Sequence, residues 1–460
     1  MPVNSTHPSY DTHLPRWQTV RDCVEGSASI KAKKTKYLPK PNPGDSSAEN
    51  NSRYDAYVER ANFVGFTSST LDGMLGMVFR KPTQIELPQS IEYLKDNSNG
   101  GGLSIDQMTR SLVGNTLQTG RFGLLVDYPQ AKPGLTKAQT NGLRANILPY
   151  RPENIINWQT EVIDSVTVLT RVTLREETPV YSDDGFEFES KEYHRVLYLE
   201  EGVYIQRLFD ENNNQVGDDI IPRDSTGKLW KVIPFTFVGA QNNDPIIDKA
   251  PLYDIAEINI AHYRNSADFE ESSFIVGQPT PVVAGLTQSW VDDVMKGGVL
   301  LGSRTAWLLP AGASADLLQA NPNQMPERGM ELKEQQLIKV GARIIQDSSG
   351  VETAEAAKIR FGGQNSKLST LVGNVESGLI QCLKWAMAFM GGIGEPELEL
   401  NRDFYDKSVD PQLIIARIQM VDRGIIAKSD FQDKLRQEGE IAADRTNEEI
   451  DGEAEAVDIL

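Results

Sequence analysis

Cysteine is nearly missing from this sequence, with only Cys23 and Cys382 in 460 residues. Four histidines (His7, His13, His194 and His262) lie scattered, without a CxxC or HExxH spacing, which argues against a structural zinc site and a disulfide framework. Long apolar runs are missing too. No window reaches the roughly 18 uninterrupted apolar residues that a membrane span needs, and Met1–Tyr10 has no apolar stretch behind a basic start, so a cytosolic chain with no membrane contact is expected. Cations are in short supply. The 46 Lys plus Arg face 65 Asp plus Glu, a net charge of −19, whereas tight wrapping of DNA needs clustered cations that release counterions.

Signatures of catalysis are also missing: there is no GxSxG elbow, Walker sequence, DFG or HRD pattern. The triple glycine Gly100–Gly102 has no Gly-Lys-Ser/Thr behind it, and reads as a hinge before a helix cap. Paired acids occur at Asp183-Asp184, Asp292-Asp293 and Glu397/Glu399, the kind of carboxylates with which a two-metal nuclease clamps an in-line displacement. Each pair borders a turn or strand edge, and a solvated surface is the plainer reading. Cys382 falls in the apolar stripe of a helix, which favours packing over nucleophilic use. No cofactor and no catalytic residue is implied.

What the sequence does contain is a globular composition, 39% hydrophobic and 24% charged. Its length exceeds the roughly 250 to 300 residues of a single core, so two or three compact regions are expected. Residues 1–52 lack a sustained apolar period and read as a flexible arm. Lys31, Lys33, Lys34, Lys36 and Lys40 form a basic cluster there, read either as a phosphate contact or, more plainly, as a solvated segment. From Arg53 two helices are predicted, closed by Pro82, and Ser104 with Gln107 forms a capping-box pair ahead of a third helix ending at Gly120. From Arg121 the texture turns to strands separated by turn-rich spacers, a β-rich unit of hairpins reaching to about residue 250.

After Pro251 a helical period returns. Leu252, Ile255, Ile258 or Asn259, His262, Ser266 and Phe269 share one face of a helix about 30 Å long, with little breadth of apolar surface. His262 reads as a helix-interface residue. Residues 277–325 form a small β-rich insertion, 326–346 a returning helix, and 347–352 a short polar loop. Leu368, Leu371, Val372, Val375, Leu379, Cys382, Leu383 and Ala386 then recur at helix spacing within 353–392, a long helix expected to bend or break at Gly362-Gly363. A strand and a helix pair fill 393–437. Residues 438–460, with nine acids and one arginine, read as a mobile acidic tail.

This order of helix, β insertion, returning helix, polar loop and long helix resembles the stem, clip, tunnel loop and crossing helix of bacteriophage portal proteins. The phrases LYDIAEINIAHYRNSADFEESSFIVGQPTPVVAG and VETAEAAKIRFGGQNSKLSTLVGNVESGLIQCLKWAMAFMG resemble the stem with the start of the clip, and the long helix, in a branch of that family known mainly as an uncharacterised phage domain. YDAYVERANFVGFTSSTLDGMLGMVFRKP is similar to its first wing helices, and LNRDFYDKSVDPQLIIARIQMVDRGIIAKSDFQDKLRQEGEI to the segments that return to wing and crown. Together they cover most of the chain from Arg53 to Ile441, by order and spacing and not by a chemical signature.

The resemblance implies an α+β portal fold with an α/β wing (53–250), stem helices (251–276 and 326–346), a small β-rich clip (277–325) and a helical crown region. It implies a ring, usually of twelve subunits, at one capsid vertex of a virion assembled in the host cytoplasm. The terminase large subunit, later head-tail adaptor proteins, the major capsid protein and scaffolding protein would be its partners, with double-stranded DNA passing through without tight binding. The DNA-facing parts would be the stem helices, including Tyr253, Glu257, His262, Arg264, Lys339 and Arg343, and the loop Gln346, Asp347, Ser348, Ser349, Gly350, Val351 and Glu352. Lys339 and Arg343 read as partners for a neighbouring subunit's acids more than as phosphate contacts. Rival readings are another virion structural protein, a capsid or tail-adaptor component, and a metal-dependent nucleic-acid enzyme using the paired carboxylates.

Overall fold

The computed structural model describes residues 2–129, 143–181, 185–277, 280–294, 309–318, 324–345, 367–402, 404, 417–421, 423–438, 441 and 445–457. The fold is α+β and divides into two units, Met1–Asn401 and Arg402–Leu460.

The first unit begins with helices where a flexible arm is expected: α1 (Pro8–Glu25) and α2 (Ser27–Ala32). The His7 side chain caps α1 by accepting from the Ser9 N–H, and Pro8 occupies the first turn, where its missing N–H costs nothing. The expectation fails because the anchors are few and wide apart. Tyr10, Trp17, Val20 and Cys23 are all buried, but the residues between them are mostly polar and one buried residue is an acid, Asp22.

Asp22 also answers the question of the lysine cluster. It receives hydrogen bonds from Lys33, Tyr37 and Ser29, and Lys36 lies 3.3 Å from its second oxygen. Lys34 pairs with Asp55 at 2.8 Å, Lys31 donates to the Glu59 carbonyl and Lys40 to Asn51, so these lysines tie the N-terminal segment to itself. Burial alone would raise the Asp22 carboxyl, but the Lys33 and Tyr37 bonds with the charges of Lys33 and Lys36 hold it below the ordinary 3.8. The stability it contributes is therefore present above that value and is lost as pH falls through the lower folded value. Asp22→Asn is expected to cost about 2 kcal/mol at neutral pH, and urea unfolding across a pH series should show the gap to wild type closing below pH 3.8; a gap that stays constant to the acid limit contradicts the assignment.

Helices α3 (Ala48–Arg60) and α4 (Phe66–Val78) follow, then strand β1 (Gln84–Glu86) and α5 (Ile105–Thr119), whose Ser104/Gln107 capping box is formed in both directions. Gly120 ends α5 in the left-handed region at φ +74°, and a Cβ there would lie 2.5 Å from the Asp248 carbonyl, so the turn into the sheet requires glycine.

Strands β2 (Arg121–Asp127), β3 (Asn146–Tyr150), β4 (Ile155–Ile163), β5 (Val166–Tyr181), β6 (Phe188–Glu200), β7 (Val203–Asp210) and β8 (Phe235–Gly239) build two antiparallel sheets, ordered β3-β2-β8 and β4-β5-β6-β7. β2 is buried from Arg121 to Val126, as expected of a central strand covered on both faces. Between the sheets lies a core of Leu125, Tyr150, Ile155, Trp158, Val172, Leu174, Leu197, Tyr204, Phe235 and Phe237, which Tyr10 and Trp17 of α1 complete.

After the sheets come α6 (Tyr253–Val276), β9 (Thr280–Ala284), α7 (Gln288–Val294), β10 (Ser314–Leu318), α8 (Met325–Ile345), α9 (Lys367–Met390) and β11 (Glu397–Glu399). β9 pairs with β10 and β11 with β1, both antiparallel. Among the described residues of the insertion expected to be β-rich are a strand pair and a helix between its strands. α9 packs on β8, β2 and α5. At its middle Gly378 meets Val238 so closely that a Cβ would lie 2.6 Å from that side chain, and Asn374 donates to the Gly239 carbonyl while accepting from Asn243. Gly362-Gly363, the expected kink, lies outside the described residues.

The second unit holds α10 (Lys428–Glu438) and α11 (Asn447–Val457). α11 replaces much of the expected mobile acidic tail. Thr446 and Glu449 form its reciprocal cap, Arg436 reaches Asn447 and the Arg445 carbonyl, and Lys428 pairs with Asp451 at 3.0 Å.

Candidate functional site

The candidate site is the α6/α8 helix pair with the β9–β10 strands between its members. α6 is held in place by polar residues at intervals of one face. Asn259, fully buried, accepts from the Thr67 N–H at 3.1 Å and its hydroxyl at 3.0 Å, and donates to the Val64 carbonyl at 2.9 Å. Two turns on, Ser266 accepts from the Asn62 N–H at 2.8 Å. Asp268 accepts from the Tyr57 hydroxyl at 2.6 Å, Glu271 pairs with Arg60, and the Arg60 guanidinium lies 4.3 Å from the Phe274 ring centre. The buried surface of α6 is wider than the expected stripe, because Ala256, Ile260, Tyr263 and Ala267 are buried alongside Ile255, Asn259, His262 and Ser266.

α8 packs along α6, and two of their close approaches are between named side chains. Gly329 is so close to Asn265 that a Cβ would sit 2.1 Å from its amide nitrogen, and His262 Nε2 lies 3.4 Å from a Glu334 carboxylate oxygen. His262 is 4% exposed and stands edge-on to Phe66; burial, opposed by Glu334, lowers its pKa and favours the neutral ring. Beyond those points α8 offers much of itself to solvent, with Leu332 46% and Ile338 73% exposed, and only Leu337 among its described side chains is buried. Phe274, Ile275, Val282, Leu317 and Met325 extend this apolar exposure around the far end of the pair.

Other residues singled out from the sequence divide clearly. Tyr253 donates to Glu257 at 2.8 Å, and exposed Arg264 donates to the Tyr37 carbonyl at 2.7 Å, which turns it back toward its own chain. Lys339 is exposed on α8. Arg343 belongs to α8 but its side chain is outside the described residues, as are Gln346–Glu352 and Asp183-Asp184. Asp292 accepts from Gln288 on the surface of α7, and Glu397 and Glu399 flank buried Leu398 on exposed positions of β11. The structure brings none of these acids into a cluster with a third metal-ligating residue among the described residues. Both cysteines are buried; burial pushes the Cys23 thiol up to about 12 and the Cys382 thiol higher still. The two helices carry eight acidic against five basic residues, so the pair is mildly anionic.

Sequence reading missed Arg121. It is 2% exposed, and its guanidinium lies 4.0 Å from the Trp158 ring centre and 3.8 Å from that of Phe237, with His7 stacked on Trp158 at 4.0 Å. Burial lowers its pKa to about 9. The cation is held by aromatic faces inside the inter-sheet core. An arginine opening an apolar strand beside a distant tryptophan gives no sequence signal for such a contact.

The family described as "Domain of unknown function (DUF4055)" matches residues 251–390, a span that runs from just before α6 to the last residue of α9. No curated protein matches the chain. Among solved structures it is similar to one described as "Virion of native gene transfer agent (GTA) particle", at 14% identity and a TM-score of 0.40 over 81% of this chain and 88% of that one. It is also similar to "Neck of native GTA particle computed with C12 symmetry", at 13% identity and a TM-score of 0.40 over 82% of this chain and 92% of that one. No helix among the described residues is long and apolar enough to cross a membrane.

Proposed function

We propose that this chain is a structural component of a phage-type virion and, within it, the portal subunit: one member of a ring through which double-stranded DNA enters and leaves the capsid. One observation carries the reading. Two helices of 24 and 21 residues run out from a sheet-and-helix body, joined at the far end through a strand pair, with large apolar side chains left exposed along them. A helix pair that buries its root and exposes Leu332, Ile338 and Phe274 is poorly suited to life alone, and side-by-side copies around an axis would cover those residues.

The charge suits passage. A chain at −19 with a mildly anionic helix pair repels a polyanion within a screening length of about 8 Å, so DNA would be guided by shape and not gripped. The segment Gln346–Glu352 follows α8, and its composition fits a place facing the passage: Ser348, Ser349 and Gly350 are small, while Asp347 and Glu352 repel phosphate. The strand pair at the far end would receive the terminase and afterwards the adaptor proteins, and the body would meet the shell.

Imaging tests this directly. Protein purified after co-expression with its capsid protein should give closed rings with a central channel, and antibody labelling of virions should mark one vertex. Label spread over the whole shell would make it a capsid component. Metal-dependent DNA cleavage lost on Asp292→Asn with Asp293→Asn would overturn the structural reading altogether.

A further inference from the structure

Residues 2–7 form a strap fastened to the sheets mainly through backbone groups. The Val3 and Asn4 N–H groups donate to the Asn213 side-chain oxygen, just after β7, at 2.8 and 3.4 Å. The Ser5 carbonyl accepts from the Asn157 amide at 2.9 Å, and the His7 N–H donates to the Ile156 carbonyl at 2.8 Å. β4 stands at the edge of its sheet, and the last two bonds lie along it. His7 closes the strap. Its Nδ1 accepts from the Ser9 N–H at 3.1 Å, which caps α1, and its ring stacks on Trp158 of β4 at 4.0 Å and 18°. The Arg121 guanidinium lies 4.0 Å from the centre of the same indole. Two planar groups at that distance do not fit side by side on one face, so the indole separates half-buried His7 from Arg121, which is 2% exposed.

We propose that His7 is a proton-operated latch: protonation of its ring uncaps α1 and releases residues 2–7 from β4. An Nδ1 that accepts must carry a lone pair, and an added proton takes that pair, setting one N–H against the Ser9 N–H. An imidazolium is attracted to an indole face, but here the opposite face already holds a guanidinium in the core, and the two cations repel across a poorly screened ring. The charged groups that face the ring are Arg121 from β2 and Asp11 from α1, which also accepts from the Thr6 hydroxyl at 3.1 Å; β4 faces it with the uncharged Trp158. Burial first, and then Arg121, lower the pKa of the ring below the ordinary 6.5, against a smaller opposing pull from Asp11. The closed strap therefore holds a neutral ring, and a freed ring takes its proton near 6.5. Closure is complete above that value and is lost as pH falls below it toward the lower closed-state value, by up to about tenfold per pH unit for one proton. The other histidine of α1 behaves differently. His13 Nδ1 lies 2.8 Å from the Ser9 carbonyl, which only accepts, so that ring donates and keeps its bond when protonated. Release uncovers the Ile156 carbonyl, the Asn157 amide and the outer face of Trp158, leaving β4 with an open edge. The latch works within one copy, whether or not copies form a ring.

Hydrogen exchange of the full chain, followed by mass spectrometry and corrected for the intrinsic rate at each pH, reads the latch. Between about pH 7.5 and about pH 5 the peptide covering Val3–Asp11 should lose about tenfold in protection, while the α5 peptide, Ile105–Thr119, should keep its own. Asparagine caps helices well and does not titrate, so His7→Asn should be as protected in acid as at neutral pH. His7→Lys carries a fixed cation and no acceptor, and should exchange at both pH values as wild type does in acid. His13→Gln should respond like wild type. Unchanged protection of the wild-type strap in acid, an equal acid loss in His7→Asn, or a response lost in His13→Gln overturns the latch. A His7→Lys strap as protected as wild type at neutral pH would remove the charge from the mechanism. Loss of protection in α5 together with the strap would mean general acid unfolding, and would overturn the latch as well.

Discussion

Phe389→Ala is expected to lower the free energy of unfolding by roughly 3 to 5 kcal/mol, the range for emptying a buried aromatic site. The ring is fully buried near the end of α9, stacked on Trp230 at 3.9 Å and 15° and facing Tyr128 at 5.4 Å and 13°. Two effects contribute, and they can be separated. Loss of transfer energy and the cavity left behind apply to any truncation, whereas the stacked geometry contributes about 0.5 to 1.5 kcal/mol per aromatic pair. Phe389→Leu keeps most of the volume but loses both stacked pairs, and should therefore lose about 1 to 3 kcal/mol. Urea unfolding followed by tryptophan fluorescence reads both, since Trp230 is one of the stacked rings. The Phe389 carbonyl accepts from the Ser225 N–H at 2.9 Å, so the same site fixes the loop before β8 to the end of α9. An alanine variant within about 1 kcal/mol of wild type would mean that the rings can collapse onto one another, and that α9 is held elsewhere.

That site was half legible in advance. The apolar stripe of α9, from Leu368 through Leu371, Val372, Val375, Leu379, Cys382, Leu383 and Ala386, is buried to 1% exposure or less at every position; periodicity reports a face well when the face is aliphatic and continuous. The Ser104/Gln107 cap was legible for a different reason, because the residues that satisfy each other lie three apart. Trp230 and Tyr128 were not, since nothing local in the chain brings them to Phe389. The N-terminal helices escaped for a related reason. Trp17 and Tyr10 join a core made by strands more than a hundred residues later, and Asp22 is buried only because Lys33, Lys36 and Tyr37 come to it. α11 shows the limit of charge patterning, where an acid-rich segment reads as a tail until Thr446, Glu449 and Arg436 are seen to close its first turn. In the candidate site the helix lengths were legible. The breadth of burial on α6 was not, because several of its buried residues are small or polar.

Asn259 is the residue on which the second large effect is expected, because its three hydrogen bonds hold the root of α6 to the start of α4. α4 begins after Gly65, which has no side chain to cap it, and Thr67 sits in its first turn. Asn259 supplies that cap from another helix, taking the Thr67 N–H and hydroxyl and returning a donor to Val64. Asn259→Leu preserves volume and helix propensity but takes away the acceptor that the buried Thr67 N–H and hydroxyl share, while the Val64 carbonyl, on an exposed residue, keeps the Phe66 N–H. At about 1 to 3 kcal/mol for each orphaned group the expected loss is roughly 3 to 5 kcal/mol. Asn259→Asp separates acceptor from donor. It keeps the bonds from Thr67, loses the one to Val64, and places a carboxylate where the native side chain is fully buried. Desolvation raises the folded pKa of such an acid, so its penalty is present at neutral pH and shrinks as pH falls through that raised value, the reverse of the Asp22 behaviour. Chemical unfolding of both variants across pH separates the two costs. A leucine variant as stable as wild type, or an aspartate variant with no recovery in acid, would mean that α6 is anchored by its apolar contacts alone and that the polar bridge to α4 is incidental.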